Sequence, residues 1–217
     1  MTNDLQIWQS EIAKGAIQLD ITLTPNQMSL LLGYVEELTK WNKAYNLTAV
    51  RDPLEMIKLH VLDSLAILAH LSELEHQLVI DIGTGAGLPG MILAIMLPNT
   101  CVHLLDTNGK KTRFLTQFKH LKSLDNVTVI NQRCESYVPE NQYDIVLSRA
   151  FASITDMLNG CHHLVANTGV FVAMKGVYPQ QELEAMPSNF SLINCKAIRV
   201  PGVDAERHLL TIQKQLM

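Results

Sequence analysis

Over the first 75 residues, apolar positions return at helical intervals. Leu5, Ile7, Trp8, Ile12, Ala16 and Leu19 trace one stripe. Thr24-Pro25-Asn26-Gln27 then supplies a start signal: a hydroxyl cap, proline in the first helical position and glutamine in the third. The helix it opens carries Met28, Leu31, Val35, Leu38 and Trp41 on one face. Asp52-Pro53-Leu54-Glu55 repeats the signal, and Met56, Leu59, Leu62, Leu65, Ile67 and Leu68 follow. No strand pattern occurs before Leu78.

At Leu78 the texture changes. Leu78-Val79-Ile80-Asp81-Ile82 is short, apolar and rich in branched residues, and it runs into glycines, as a buried strand does. The pattern then predicts a helix over 90–97, a strand over 102–106 and a helix over 110–122 with Phe114, Leu115, Phe118 and Leu121 facing inward. Strands over 127–130 and 143–148, a helix over 155–164 and a strand over 169–174 complete the alternation. This rhythm implies an α/β fold, a mostly parallel sheet covered on both faces. Residues 191–200 and 208–213 are expected to close it as an antiparallel hairpin, which makes the last strand antiparallel. The expected organisation is a small helical region over 1–75 followed by a Rossmann-like domain over 76–217.

Composition narrows the function classes. The chain has 217 residues, 47% hydrophobic and 18% charged, which fits a globular protein and excludes a disordered one. Its apolar runs are far shorter than the roughly 18 residues of a membrane span. The N-terminus lacks a basic stretch followed by an apolar core, so a cytoplasmic protein with no membrane partner is expected. Cys101, Cys134, Cys161 and Cys195 lie 27 to 34 residues apart without a C-x-x-C pair, so neither a metal site nor a disulfide scaffold is expected. The net charge of −4 argues against diffuse attraction to a polyanion. Residues 1–75 hold five Lys/Arg against ten Asp/Glu, and the remainder twelve against eleven. Two runs hold no acid. Residues 40–51 carry Lys40, Lys43 and Arg51 with Trp41 and Tyr45, aromatics suited to stacking on unpaired bases; residues 110–122 carry Lys110, Lys111, Arg113, Lys119 and Lys122. Each run also reads as an ordinary solvated helix face.

The candidate chemistry centres on Asp81-Ile82-Gly83-Thr84-Gly85-Ala86-Gly87-Leu88-Pro89-Gly90, at the turn from the first strand into the first helix of the alternation. Alternating glycines permit positive φ and close approach of a ligand to the backbone. Gly85, Gly87 and Gly90 satisfy G-x-G-x-x-G, the dinucleotide fingerprint. Asp81 and Pro89 count against a pyrophosphate: a carboxylate suits a cation, and proline removes an N–H donor. Asp106 ends the second strand, where a carboxylate accepts both hydroxyls of a ribose, whether of NAD or of S-adenosylmethionine; otherwise it caps the next helix. Cys134 and Glu135 follow the third strand, where an adenine would lie, and Arg149 follows the fourth. His60 and Asp63, three apart on one helix face, are expected as a buried hydrogen-bonded pair rather than as metal ligands. Lys175 and Arg207 are placed to reach RNA phosphates, or else are ordinary surface ions.

The loop at 81–90 resembles the cofactor loop of class I methyltransferases. Trp41-Asn42-Lys43-Ala44-Tyr45-Asn46-Leu47-Thr48, His60-Val61-Leu62-Asp63-Ser64, Ser148-Arg149-Ala150-Phe151-Ala152-Ser153 and Glu206-Arg207-His208 resemble the bacterial ribosomal RNA small-subunit methyltransferase G family, also called glucose-inhibited division protein B. The resemblance runs from about residue 36 to residue 212. It implies a class I fold, S-adenosylmethionine as cofactor, and methyl transfer to N7 of one guanosine in 16S rRNA of the small ribosomal subunit. It also implies that Gly83, Leu88, Cys134, Glu135 and Arg149 contact the cofactor; the residue reading adds Asp81, Gly85 and Asp106. Lys43, Arg51, Lys110, Lys111, Lys175 and Arg207 are the candidate RNA contacts. No catalytic acid or base is assigned, because N7 offers an unprotonated lone pair. Two other readings stay open: a methyltransferase for a small molecule or protein, and a noncatalytic nucleotide-binding factor in ribosome assembly.

Overall fold

A computed structural model describes residues 3–74, 77–149, 151 and 153–215. The expected boundary between 75 and 76 and the motif residues Ala150 and Ala152 lie outside the described residues.

Helix α1 spans Asn3–Gln18 and buries Ile12, Gly15 and Ala16. Helix α2 spans Pro25–Tyr45 and begins with the expected reciprocal cap: Thr24 Oγ1 accepts from the Gln27 N–H at 3.2 Å, and Gln27 Oε1 accepts from the Thr24 N–H at 2.9 Å. Asp52 caps α3, Pro53–Met56, by accepting from the Glu55 N–H at 2.9 Å. The helix then widens into a π-helical turn, Ile57–Leu62, before α4 at Asp63–Leu65 and α5 at Leu68–Leu71. Gly15 lets α1 lie against this turn, since a Cβ there would strike the Leu62 side chain.

The sheet contains β1 (Leu78–Ile82), β2 (Cys101–Leu105), β3 (Val127–Ile130), β4 (Tyr143–Ser148), β5 (Val165–Lys175), β6 (Phe190–Ala197) and β7 (His208–Lys214). Their order is β3-β2-β1-β4-β5-β7-β6. β1 to β5 run parallel to their neighbours, while β7 is antiparallel to both β5 and β6. The final hairpin is therefore present, but its second strand inserts between β5 and its first. β5 begins earlier than its apolar pattern suggests. The pairing with β4 jumps from Tyr143–Val165 to Ile145–Val170, and the intervening Asn167-Thr168-Gly169 has the composition of a turn. Gly169 permits the irregularity, because a Cβ there would lie 2.6 Å from the Tyr143 carbonyl.

Side chains alternate cleanly across this sheet. Val79, Ile145, Leu147 and Val172 face one core, closed by α1, α2, α6 (Gly90–Met96) and α7 (Gly109–Leu121). Ile80, Ile82, Val146 and Phe171 face a second, closed by α8 (Ile154–Cys161), with α9 (Gln180–Glu184) beyond it. The first core runs without interruption from Ile12 to Leu209 and so joins the helical region to the sheet. On α7, Phe114, Leu115 and Phe118 are buried as expected; Leu121 is 56% exposed, because it sits in the last turn beyond the sheet's cover. No helix among the described residues is long and apolar enough to cross a membrane.

Candidate active site

The carboxyl ends of β1, β2, β3 and β4 meet at one edge, where open α/β sheets bind ligands. A crevice of about 290 Å³ opens there, lined by Ile82, Gly83, Leu105, Asp106, Thr107, Lys111, Arg133, Cys134, Glu135 and Phe151. Its floor follows from the loop. Gly83, Gly85 and Gly87 hold φ of 66°, 63° and 94°, which favours glycine at all three. The N–H groups of Gly83 and Thr84 both donate to the Leu105 carbonyl, at 2.8 and 3.1 Å, and this ties the loop to the end of β2. Gly90 allows α6 to press on the sheet: a Cβ there would lie 2.8 Å from Asp81 Cβ and would strike Leu104.

Asp106 stands at the crevice wall. Its Oδ2 accepts from the Gly85 N–H and its Oδ1 from the Asn108 N–H, both at 2.8 Å. A carboxylate offers about four acceptor positions, so two remain for a ligand diol. Lys111 Nζ stands 3.9 Å from Oδ2. The cap of α7 is Asn108, whose side chain accepts from the Lys110 N–H at 3.0 Å; the alternative of Asp106 as helix cap is therefore set aside.

Of the expected cofactor residues, Gly83, Asp106, Cys134 and Glu135 line the crevice, whereas Asp81, Gly85, Leu88 and Arg149 do not. Asp81 is fully buried beneath the loop, where its Oδ2 accepts from Thr84 Oγ1 at 2.6 Å and the Gly90 N–H at 2.8 Å. Burial pushes its pKa up to about 6, opposed by those two hydrogen bonds. Leu88 points into the first core. Cys134 is buried at the edge of the second core, and burial raises its thiol pKa. Phe151, Arg133 and Thr107 are not among the expected cofactor residues, although each lies within three residues of the end of a strand.

The remaining motifs converge on a polar cluster beside this edge. Asn42 Nδ2 donates to the Val50 carbonyl at 2.9 Å, and its Oδ1 accepts from the Thr48 N–H at 2.9 Å. Thr48 Oγ1 lies 2.9 Å from His60 Nε2. His60 is buried, which lowers its pKa. The expected pairing of His60 with Asp63 is corrected. Asp63, 1% exposed, instead accepts from Arg149 Nη1 on Oδ2 at 3.1 Å and from Arg207 Nε on Oδ1 at 2.7 Å. The π-helical turn contributes here: the Asp63 N–H reaches the Lys58 and His60 carbonyls, and the Leu59 carbonyl between them accepts from Arg149 Nη1 at 3.3 Å.

The candidate RNA contacts divide. Lys43 and Lys110 are exposed. Arg51 donates to the Asn42 carbonyl at 3.0 Å and to Asn46 Oδ1 at 2.5 Å, closing the end of α2. Lys175 is corrected: its side chain is only 14% exposed and Nζ pairs with Glu182 Oε2 at 2.8 Å, so it does not reach outward. Arg207 is paired with Asp63. Trp41 packs on Phe114, with ring centroids 5.8 Å apart, and on Tyr45 at 5.1 Å; of the two expected stacking residues only Tyr45, 39% exposed, faces solvent appreciably.

Comparison with known proteins adds the following. A family model described as rRNA small subunit methyltransferase G matches residues 27–210. A protein of that name from Vibrio atlanticus is 49% identical over 199 residues, covering 91% of this chain and 93% of its own. Another from Shewanella frigidimarina is 50% identical over 198 residues, covering 91% and 95%. Among solved structures, an S-adenosylmethionine-dependent methyltransferase from Thiobacillus denitrificans, in complex with S-adenosyl-L-homocysteine, superposes with a TM-score of 0.56 at 9% identity, over 81% of this chain and 96% of that one. TrmN from Thermus thermophilus gives 0.57 at 17% identity, over 81% and 52%. These two likenesses concern the fold.

Proposed function

The chain belongs to the rRNA small subunit methyltransferase G family, and from that premise we propose that it transfers a methyl group from S-adenosylmethionine to N7 of a guanosine in 16S rRNA of the small ribosomal subunit. The observation that carries this reading is the crevice at the carboxyl edge, where the apolar side chains of Ile82, Leu105 and Phe151 stand beside the Asp106 carboxylate, which retains two acceptor positions. The residues fit the cofactor. Asp106 would accept the ribose hydroxyls; Ile82, Leu105, Cys134 and Phe151 would flank the adenine; Gly83 would let the ligand approach the backbone. Glu135 would stand at the rim, and Arg149, outside the crevice lining at the end of β4, would take the methionine carboxylate. Asp81, Gly85 and Leu88 act from behind, shaping the loop.

When bound, the cofactor supplies a methyl group already activated by a sulfonium. Guanine N7 is an acceptor on the major-groove edge and carries no proton. No side chain has to remove one, so the chain contributes placement and an electrostatic environment. Residues 76–217 hold the cofactor in this reading, while residues 1–75 brace the loop and present Lys43 and Arg51 to RNA. Tyr34 shows how the bracing works: its hydroxyl, on α2, donates to the Ala86 carbonyl at 2.9 Å. Lys110, Lys111 and the outer edge of Arg207 extend the RNA surface. The reaction belongs in the cytoplasm, where ribosomal subunits are made.

Transfer of a tritiated methyl group to small-subunit rRNA is the test. Label recovered in RNA supports the reading; label confined to protein or small metabolites overturns it.

A further inference from the structure

Asp63 carries more charge chemistry than its place in a helical layer requires. It is a carboxylate 1% exposed to solvent, yet it sits between two guanidinium groups, one on each oxygen. Burying such a carboxylate is costly and makes poor sense as a source of stability alone, whereas a buried ion pair does fix one arrangement of its members. The two arginines are not buried with it: the side chains of Arg149 and Arg207 are 32% and 24% exposed. Arg149 uses Nη1 on Asp63 and on the Leu59 carbonyl; Arg207 uses Nε on Asp63 and Nη1 on the Glu206 carbonyl at 2.8 Å. Each guanidinium has five N–H donors, so both keep donors for a ligand. The cluster holds two positive charges against one negative and so retains a charge of the sign that attracts anions.

The cluster lines one hollow through Arg207 and reaches the neighbourhood of the crevice through the chain that carries Arg149, which does not itself line it. Arg149 follows Ser148, whose hydroxyl donates to the Ile82 carbonyl at 2.8 Å, and precedes Phe151 in the crevice wall. Arg207 lines a separate hollow of about 630 Å³ beside the connection from β6 to β7, together with Tyr178, Arg199, Glu206 and His208. Asp63 is the group the two arginines share.

We propose that Asp63 is a positioning residue for methyl transfer: its carboxylate holds Arg149 toward the cofactor's carboxylate and Arg207 toward an RNA phosphate, so that both anion contacts depend on one buried group. This rests on the proposed function in both halves: on Arg149 as the partner of the cofactor's carboxylate, and on RNA as the substrate. Freed of Asp63, each guanidinium gains rotamer freedom, and the affinity of both ligands falls without either ligand touching Asp63.

The experiment is a pair of double-mutant cycles on the full chain. Asp63→Asn is combined with Arg149→Ala and read by calorimetric binding of S-adenosylhomocysteine, which needs no RNA. It is combined with Arg207→Ala and read by binding of a small-subunit rRNA fragment. The expected result is a loss of about fivefold or more for each ligand in Asp63→Asn, shrinking to less than twofold once the matching arginine is absent. Asp63→Glu, which keeps the charge, should recover part of both losses at an unchanged melting temperature. If Asp63→Asn does not fold, the same cycles are run with Asp63→Glu, whose displaced carboxylate should lower both affinities relative to wild type but not once the matching arginine is absent. Losses that persist undiminished in the arginine-free backgrounds, or affinities within twofold of wild type in folded Asp63→Asn, overturn the proposal. A positive cofactor cycle with no RNA binding by any variant, wild type included, would overturn the RNA half and the rRNA reading while leaving the Asp63–Arg149 half standing.

Discussion

The crevice and the Asp63 cluster lie side by side but are built in opposite ways. The crevice is shaped by backbone: a loop with three positive-φ glycines, N–H groups aimed at the end of β2, and a carboxylate held still by the backbone N–H groups of Gly85 and Asn108. Nearly everything in it comes from the ends of adjacent parallel strands. The cluster is made of side chains from distant parts of the chain, with Arg149 86 positions and Arg207 144 positions beyond Asp63. A site built from backbone tolerates changes in most side chains and fails when a glycine gains a Cβ. A site built from one shared carboxylate fails at a single atom pair. The contrast explains why one continuous loop motif marks the first and several scattered motifs mark the second.

Six substitutions probe that contrast, from the largest effect to the smallest. Gly83→Val should remove S-adenosylmethionine binding, by at least about a hundredfold or roughly 2.8 kcal/mol, while the chain still folds. A β-branched residue at φ 66° both strains the loop and fills the crevice floor. Calorimetry beside a thermal melt checks it, and a folded variant binding within about threefold of wild type would break the backbone account.

The next change concerns Asp81, on the underside of the same loop. Its folded pKa is raised, to about 6 from 3.8, so its contribution to stability is fully present below pH 3.8 and is lost as pH rises through about 6. The shift corresponds to stability on the order of 2–3 kcal/mol at full burial. Asp81→Asn, which can still accept from Thr84 and Gly90, should flatten the wild-type decline between pH 4 and 6 in the difference of the two melting profiles. Parallel profiles would mean that the carboxylate ionises freely where it lies.

Asp106→Asn should weaken S-adenosylmethionine and S-adenosylhomocysteine alike, by about 1–3 kcal/mol, since the ribose is common to both. A response from only one of the ligands would move the ribose away from Asp106. The smallest effects belong to single cations. Lys43→Glu and Lys110→Glu should each lower rRNA affinity modestly and reduce the salt slope by about 0.7 per lost phosphate contact, with cofactor affinity unchanged. Lys175→Glu, which breaks the pair with Glu182, should lower the melting temperature and leave that slope alone. A salt slope that follows Lys175 rather than Lys43 and Lys110 would place the RNA on the opposite side of the edge.

Where information is local, the sequence was readable. The Thr24 and Asp52 caps, the short apolar strands from Leu78 to Ser148 and the spacing from Gly83 to Asp106 each specify structure through neighbours close along the chain. The fold class and the crevice floor were therefore legible. Asp63 stands out in the sequence, but the partner a local pattern offers it is His60, three residues away, because nothing in one sequence reports an ion pair across 144 residues. Lys175 looked free for a similar reason: Glu182 reaches it only through the loop that follows β5. The position of β7 between β5 and β6 was equally hidden, since alternation tells which face a residue takes and not which strand lies beside it. The π-helical turn at Ile57–Leu62 carries an apolar pattern that an α-helix would share.

The central claim is that a methyl group reaches a guanine nitrogen that needs no base. Its most direct test is the identity of the modified nucleoside. Small-subunit rRNA methylated by the purified chain with labelled S-adenosylmethionine is digested to nucleosides and resolved by mass spectrometry. The account predicts label in 7-methylguanosine alone, from a single position. Label in a methylated exocyclic amine, a C5-methylpyrimidine or a 2′-O-methyl ribose would contradict it, because each of those targets must lose a proton that no residue here has been assigned to take.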